Sequence, residues 1–83
     1  MKLLKFYAEW CGPCKMQTMI IKGAEDKITI PVEEIDIDND LMTAVNFGVR
    51  SVPTMVLVDD ERKEIKRKVG VMKEEELLEW LSA

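Results

Sequence analysis

The sequence predicts an α/β fold with a mixed sheet, its elements in the order strand, helix, strand, helix, strand, strand, helix (βαβαββα). Apolar and aromatic runs of strand length alternate with segments of helical periodicity through the first half of the chain. In the second half, two strand-like runs are separated only by the polar turn Asp59-Asp60-Glu61-Arg62, which makes them an antiparallel hairpin. With 83 residues, 47% of them apolar, and no linker or repeat, the chain is expected to form one small domain over residues 1–83.

The elements follow in order. Lys2 to Tyr7 is a short apolar and aromatic run that suits a strand buried on both faces. Gly12-Pro13 breaks it, and proline is tolerated in the first turn of a helix. From Cys14 to about Lys27, Met16, Met19, Ile20, Ala24 and Ile28 recur at helical spacing, with Gly23 weakening the helix without forbidding it. Met16, Met19 and Met42 are expected to fill gaps in the core. After Ile30-Pro31, Val32 to Ile37 alternates as a strand, parallel to the first through a right-handed crossover.

Asp38-Asn39-Asp40 offers caps for a short helix carrying Leu41, Met42, Ala44, Val45 and Phe47, which Gly48 terminates. Val52-Pro53-Thr54 leads into the apolar strand Met55 to Val58. Glu64 to Val69 alternates as a strand with one wet face, and Gly70 ends it. Lys73 to Ser82 closes the chain as a helix. Glu74, Glu75 and Glu76 complement its positive end, and Leu77, Leu78 and Leu81 form its buried stripe.

Composition removes several function classes. Sixteen acids against twelve bases give a net charge of −4, and the bases at Arg62-Lys63 and Lys66-Arg67-Lys68 are interleaved with acids. No basic stripe suits a nucleic acid, and no apolar run is long enough to cross a membrane. There is no histidine, which excludes Cys–His and Ser–His–Asp machinery, and two cysteines alone cannot complete a tetrahedral zinc site. Lys5 interrupts the apolar start, so no signal peptide is expected. A cytoplasmic location follows, where a cysteine pair is more often catalytic than structural.

The chemistry concentrates in Trp10-Cys11-Gly12-Pro13-Cys14, which holds both cysteines at a strand-to-helix junction. Backbone N–H groups and the helix dipole favour negative charge there, lowering a thiol's pKa. A second thiol one turn later is placed to attack a mixed disulfide formed at the first, which is the minimum for reversible dithiol–disulfide exchange. The plainer reading of the pair is a structural disulfide or two buried thiols.

Three segments then resemble the thioredoxin family. Ala8-Glu9-Trp10-Cys11-Gly12-Pro13-Cys14-Lys15 matches its active-site segment. Asn46 to Thr54 resembles its second signature, which ends in a cis-proline followed by Thr. Ile35-Asp36-Ile37-Asp38 resembles the strand end between them. The resemblance implies a four-stranded sheet of order 2-1-3-4 flanked by three helices. The first and third lie on one face and the second on the other. Relative to the family, an N-terminal strand and helix are absent, so Val32 to Ile37 becomes an edge strand, and the face that loses a covering helix is expected to be more exposed than in longer relatives.

The resemblance also implies roles. Cys11 is the more exposed thiol and the nucleophile, and Cys14 resolves the mixed disulfide. Gly12 and Pro13 hold the sulfurs at bridging distance. Pro53 is cis and packs against them, leaving the Val52 backbone to pair with substrate. Trp10 flanks the site in an apolar contact surface with Gly70 and Val71. No tightly bound cofactor or metal is needed, because the Cys11–Cys14 couple carries the electrons. The partners implied are disulfide-containing proteins and an NADPH-linked thioredoxin reductase, with the chain acting as a monomer.

Two positions depart from the family pattern. Lys5 stands where relatives usually have an aspartate, and Glu34 where they have a lysine. Parallel neighbouring strands would pair them, as a half-buried charge requires. An ammonium there stabilises a thiolate, where a carboxylate opposes one and can take its proton. Glu34 is the remaining candidate base. Otherwise Lys5 simply lays its stem along apolar surface and carries its head to water. Met19 replaces a proline that kinks the helix in many relatives, so a straighter helix is expected.

Two other functions compete. A glutaredoxin-like, glutathione-linked reductase suits the short length, although such proteins usually carry Pro-Tyr between the cysteines. A binding module would use the apolar rim of Trp10, Pro53 and Gly70 without turnover.

Overall fold

Four strands and three helices make up the computed structural model, which describes Met1–Ala83. They are β1 (Lys2–Tyr7), α1 (Gly12–Gly23), β2 (Val32–Asp36), α2 (Leu41–Asn46), β3 (Thr54–Val58), β4 (Glu64–Val69) and α3 (Glu74–Ser82), with a 3-10 turn over Glu25–Lys27 after α1. The sheet order is β2-β1-β3-β4, with β1 parallel to β2 and antiparallel to β3. That is the predicted element order and the 2-1-3-4 arrangement. No helix is long and apolar enough to cross a membrane.

Because β1 is an inner strand, its alternation feeds two cores. Leu4 and Phe6 join Ile35, Val56 and Val58 on the face covered by Ala44 of α2, with the Phe47 ring tilted against Phe6 at 5.7 Å between ring centroids. Leu3 joins Met55 and Met72 on the other face with Ile21 of α1 and Leu77 of α3. Each fully buried Leu, Phe or Val contributes roughly 1.5–3 kcal/mol of transfer free energy. Such burial explains why β3 is covered at every position.

Local chemistry sets the helix ends. The Asp40 carboxylate caps α2 by accepting from the Thr43 N–H at 3.3 Å. Gly48, at φ +66°, closes α2 in the left-handed conformation that glycine takes without penalty, and Val49 N–H reaches back to the Ala44 carbonyl at 2.9 Å.

The structure corrects the buried stripe of α1. Cys14, Gln17, Ile21 and Ala24 face the sheet, whereas Met16 and Met19 are 58% and 73% exposed; Met42 on α2 is exposed as well. The predicted apolar stripe is turned by one residue, about 100° around the helix axis. Gln17 is the cause. Its amide is fully buried, donating to the Met72 carbonyl at 3.1 Å and accepting from the Met72 N–H at 2.7 Å. A polar residue thus occupies a core position by satisfying a loop backbone that no other group reaches. Helix α1 also begins at Gly12 rather than Cys14 and ends at Gly23, its continuation tightening to 3-10 geometry, while β2 stops at Asp36 rather than Ile37. Beneath α2, Leu4, Phe6, Val56 and Val58 of the sheet are fully covered, whereas Leu41, Met42 and Val45 of α2 itself and Ile65 and Val69 of the edge strand β4 are exposed.

Replacing Gln17 by Ala would leave both polar groups of the Met72 backbone buried and unpaired. Urea unfolding of Gln17→Ala is expected to show a loss of about 2–4 kcal/mol, against less than about 0.5 kcal/mol for Met19→Ala on the exposed face.

Acid should weaken the fold through two paired carboxylates. A hydrogen bond from Lys2, supported by Arg62, holds the Glu33 carboxyl below its ordinary range, and a hydrogen bond from Arg67 does the same for Glu64. Folded values below unfolded ones mean stability that is complete above about pH 4.3 and lost as the pH falls through the folded values. Both carboxylates are partly exposed, so each contributes less than about 1 kcal/mol. The urea midpoint is expected to hold from pH 7 to 5 and fall below pH 4, with a shallower fall in Glu33→Gln.

Candidate functional site

The end of β1 delivers the chain to the start of α1, and the two cysteines sit at that junction. Cys11 is the N-cap residue of α1, extended at φ −91° and ψ 107°, and its Sγ accepts the Cys14 N–H at 3.1 Å. A sulfur therefore stands where helices usually place a Ser or Asp oxygen, among the unpaired N–H groups of the first turn. Gly12 and Pro13 occupy the first two helical positions, where the donor that proline lacks has no partner to lose. One turn of helix brings Cys14 under Cys11, with Cα atoms 5.3 Å apart and the sulfurs joined in a disulfide. The redox-active group is thus part of the protein itself, and no three His, Cys, Asp or Glu side chains cluster to hold a metal ion.

The sulfurs are less unequal in exposure than expected. Cys11 is 4% exposed and Cys14 2%, both packed with Ala8 and flanked by Tyr7, Ile37 and Val52. Hydrogen bonding distinguishes them better. The Cys11 sulfur has the Cys14 N–H as donor and lies 3.7 Å from the Val52 carbonyl oxygen, which a reduced thiol could use as acceptor.

The loop before β3 supplies the second wall. The Val52–Pro53 peptide is cis and Pro53 is buried. The Pro53 carbonyl accepts the Gly70 N–H at 2.9 Å, which ties in the end of β4, and the Val52 N–H donates to nothing within the chain. Trp10 is 70% exposed, and its indole N–H donates to the Asp38 carboxylate at 3.0 Å. Trp10 is therefore pinned to the β2–α2 loop, an anchor the sequence reading missed because Asp38 looked like one more helix-capping residue.

Lys5 and Glu34 come together as the parallel register requires. They are direct partners across β1 and β2, with Nζ and Oε1 3.1 Å apart. The alternative with the Lys5 head in water does not hold, since its side chain is 1% exposed. The Lys5 ammonium also donates to Thr18 of α1, whose hydroxyl donates to the Cys14 carbonyl at 3.0 Å. Nothing in the sequence singled out Thr18, because it gains meaning only when α1 lies over β1. A cavity of about 360 Å³ opens beside the disulfide, lined by Tyr7, Ala8, Glu9, Cys14, Lys15, Thr18 and Glu34.

Comparisons with known proteins agree with this geometry. The thioredoxin family profile matches residues 1–83. The thioredoxin of Chlamydia muridarum is 38% identical over 81 residues, covering 96% of this chain and 78% of that protein. A thioredoxin of Mycolicibacterium smegmatis is 40% identical over 84 residues, covering 96% of this chain and 74% of the relative. Among solved structures, a mutant thioredoxin from Halobacterium salinarum superposes with a TM-score of 0.89 at 34% identity, over 98% of this chain and 71% of that one. Thioredoxin 1 from Thermosipho africanus gives 0.83 at 27% identity, over 99% and 91%.

The indole tether is open to test. In a Trp80→Phe background, Asp38→Ala is expected to lower the fluorescence anisotropy of Trp10, while stability changes by less than about 1 kcal/mol, as for an exposed hydrogen bond.

Proposed function

The chain belongs to the thioredoxin family and is a thiol–disulfide oxidoreductase, and on that premise we propose that it reduces protein disulfides with Cys11 as nucleophile and Cys14 as resolving thiol. The observation that carries this reading is the Cys11 sulfur capping α1, bridged to Cys14 one turn along. The Cys11 thiolate, held by the Cys14 N–H and the helix N-terminus, attacks one sulfur of the substrate disulfide. A mixed disulfide forms and the other substrate sulfur leaves as a thiolate. Cys14 then attacks the Cys11 sulfur, the second substrate thiolate leaves, and the Cys11–Cys14 disulfide remains. Gly12 and Pro13 keep the reacting sulfurs within one turn.

Substrate is held by pairing an extended segment with the free Val52 N–H beside Pro53, and the exposed Trp10 and half-buried Gly70 supply apolar contact on either side. Disulfide-containing proteins and a reductase are the partners of such a protein. We take the reductase to be NADPH-linked, and the chain to work as one domain and a monomer, because every group the exchange needs lies on one copy. A cytoplasmic location fits a couple that must stay reduced.

Insulin reduction, followed by turbidity with NADPH and thioredoxin reductase and repeated with glutathione, tests the reading. Activity with the reductase system is expected, and activity with glutathione alone would favour a glutaredoxin-like role. Cys11→Ser should abolish turnover, falling by at least about 1,000-fold. Cys14→Ser should accumulate a mixed disulfide with substrate, detectable by mass spectrometry. Serine variants of full activity would favour a binding module. In the reduced protein, iodoacetamide at pH 7 is expected to label Cys11 at least about tenfold faster than Cys14.

A further inference from the structure

The exchange just described uses the two sulfurs and the surface around them, and it leaves one buried charge without a task. Lys5 is the largest fully buried side chain of the protein that carries a formal charge. A lysine in such a position is costly unless it is paired, and its stem alone does not need a charged end. Its surroundings are those an ammonium requires. Glu34 accepts from Nζ at 3.1 Å, Thr18 accepts a second bond, and the Tyr7 ring centroid lies 5.3 Å away. Every buried side-chain polar atom in the protein is satisfied.

What connects this charge to the chemistry is Thr18. It stands four residues after Cys14, on the same face of α1, and joins the Lys5 ammonium to the Cys14 carbonyl. Lys5 therefore reaches α1 at the turn that carries the inner cysteine. Cys14, Thr18, Tyr7 and Glu34 share the walls of one cavity.

We propose that the Lys5 ammonium, fixed by Glu34 and Thr18 beneath Cys14, is a positioning charge that stabilises the Cys14 thiolate for the resolving step. This rests on the disulfide-exchange reading and assigns the part of it that the N-terminus of α1 does not cover. The helix start serves Cys11, whose sulfur takes the Cys14 N–H, while Cys14 has no such donor for its own sulfur. In the resolving step the Cys14 S–H bond gives its proton to water in the cavity beside Glu34. The resulting thiolate attacks the Cys11 sulfur of the mixed disulfide. The Cys11–Cys14 S–S bond forms, the Cys11–substrate S–S bond breaks, and the substrate sulfur leaves with the electron pair as a thiolate. Lys5 takes no proton and breaks no bond.

The remaining charges around the cavity do not replace it. Glu9 and Lys15 line it from the loop before α1 and from α1, and both are exposed. On β2, Glu34 is half-exposed and Asp36 faces Tyr7. Burial and the carboxylates of Asp36, Glu34 and Glu9 hold the Tyr7 hydroxyl above its ordinary value, so it stays neutral. β3 contributes only Met55 opposite Lys5, and behind it Lys68 of β4 is paired with Glu76 of α3 at 3.1 Å. Exposed charges are screened by water and salt, whereas Lys5 and Cys14 are both buried and interact through protein.

The test is a titration of Cys14 by thiolate absorbance near 240 nm, in reduced protein carrying Cys11→Ser so that one thiol is read. Lys5→Gln keeps an amide donor toward Thr18 and Glu34 but removes the charge. It is expected to raise the Cys14 midpoint by about one pH unit or more, a tenfold smaller thiolate fraction near neutrality. Lys5→Arg keeps the charge and should hold the midpoint close to that of the parent. An unmoved midpoint in Lys5→Gln overturns the proposal, and so does a rise in Lys5→Arg as large as in Lys5→Gln, which would mark a packing effect. If Lys5→Gln does not fold, Lys5→Met, apolar and of similar length, is read by the same criterion. The titration involves no substrate, so its outcome stands apart from the insulin assay that tests the exchange reading.

Discussion

Strand β1 lies between β2 and β3, and the rest of the structure is arranged around that placement. A strand with neighbours on both sides has its backbone groups paired, so it can be buried on both faces. Leu3, Leu4 and Phe6 exploit this, one core on each side of the sheet. Its C-terminal end aims the chain directly into α1, which is why the two cysteines sit over the middle of the sheet rather than at its edge. Its neighbours then complete the site from both directions. β2 brings Glu34 and, just beyond its end, Asp38, while the loop entering β3 brings Val52 and cis Pro53.

Within the site, the two sulfurs differ in surroundings more than in exposure. Cys11 faces a rim of backbone polarity and apolar surface, with Trp10 moored to Asp38 on one side and Gly70 bonded to Pro53 on the other. Cys14 lines a cavity together with Thr18 and Glu34, the two residues that hold the buried Lys5 ammonium. Exchange needs this division, because one sulfur must meet a protein-sized substrate while the other stays covered until the mixed disulfide has formed.

Where the sequence reading and the structure part, tertiary contacts account for the difference. The α1 stripe was misplaced because Gln17 looks like a surface residue until the loop carrying Met72 folds against it and needs both a donor and an acceptor. With Gln17 discounted, the methionines one residue away gave the stronger apolar pattern, yet they face solvent. The near-equal coverage of Cys11 and Cys14 has a similar origin. Val52, Tyr7 and Ile37 close over both from three separate segments, and no local pattern registers that convergence.

The sequence by itself determined the element order, the hairpin and the dithiol at a helix start, while the chemistry was legible through the resemblance of three segments to one family. The first three depend on local periodicity, on turn residues, and on a cysteine spacing that spans one helical turn. The sequence also offered Lys5 and Glu34 as a pair through the family positions they occupy, and the observed register of β1 and β2 brings them together. Only the tertiary structure decided that Lys5 is covered rather than solvated, that Thr18 links it to Cys14, and that Asp38 holds Trp10. Burial and hydrogen bonding between distant segments depend on how α1 and the loops settle on the sheet, and that is fixed by packing over the whole chain rather than by any one stretch of it.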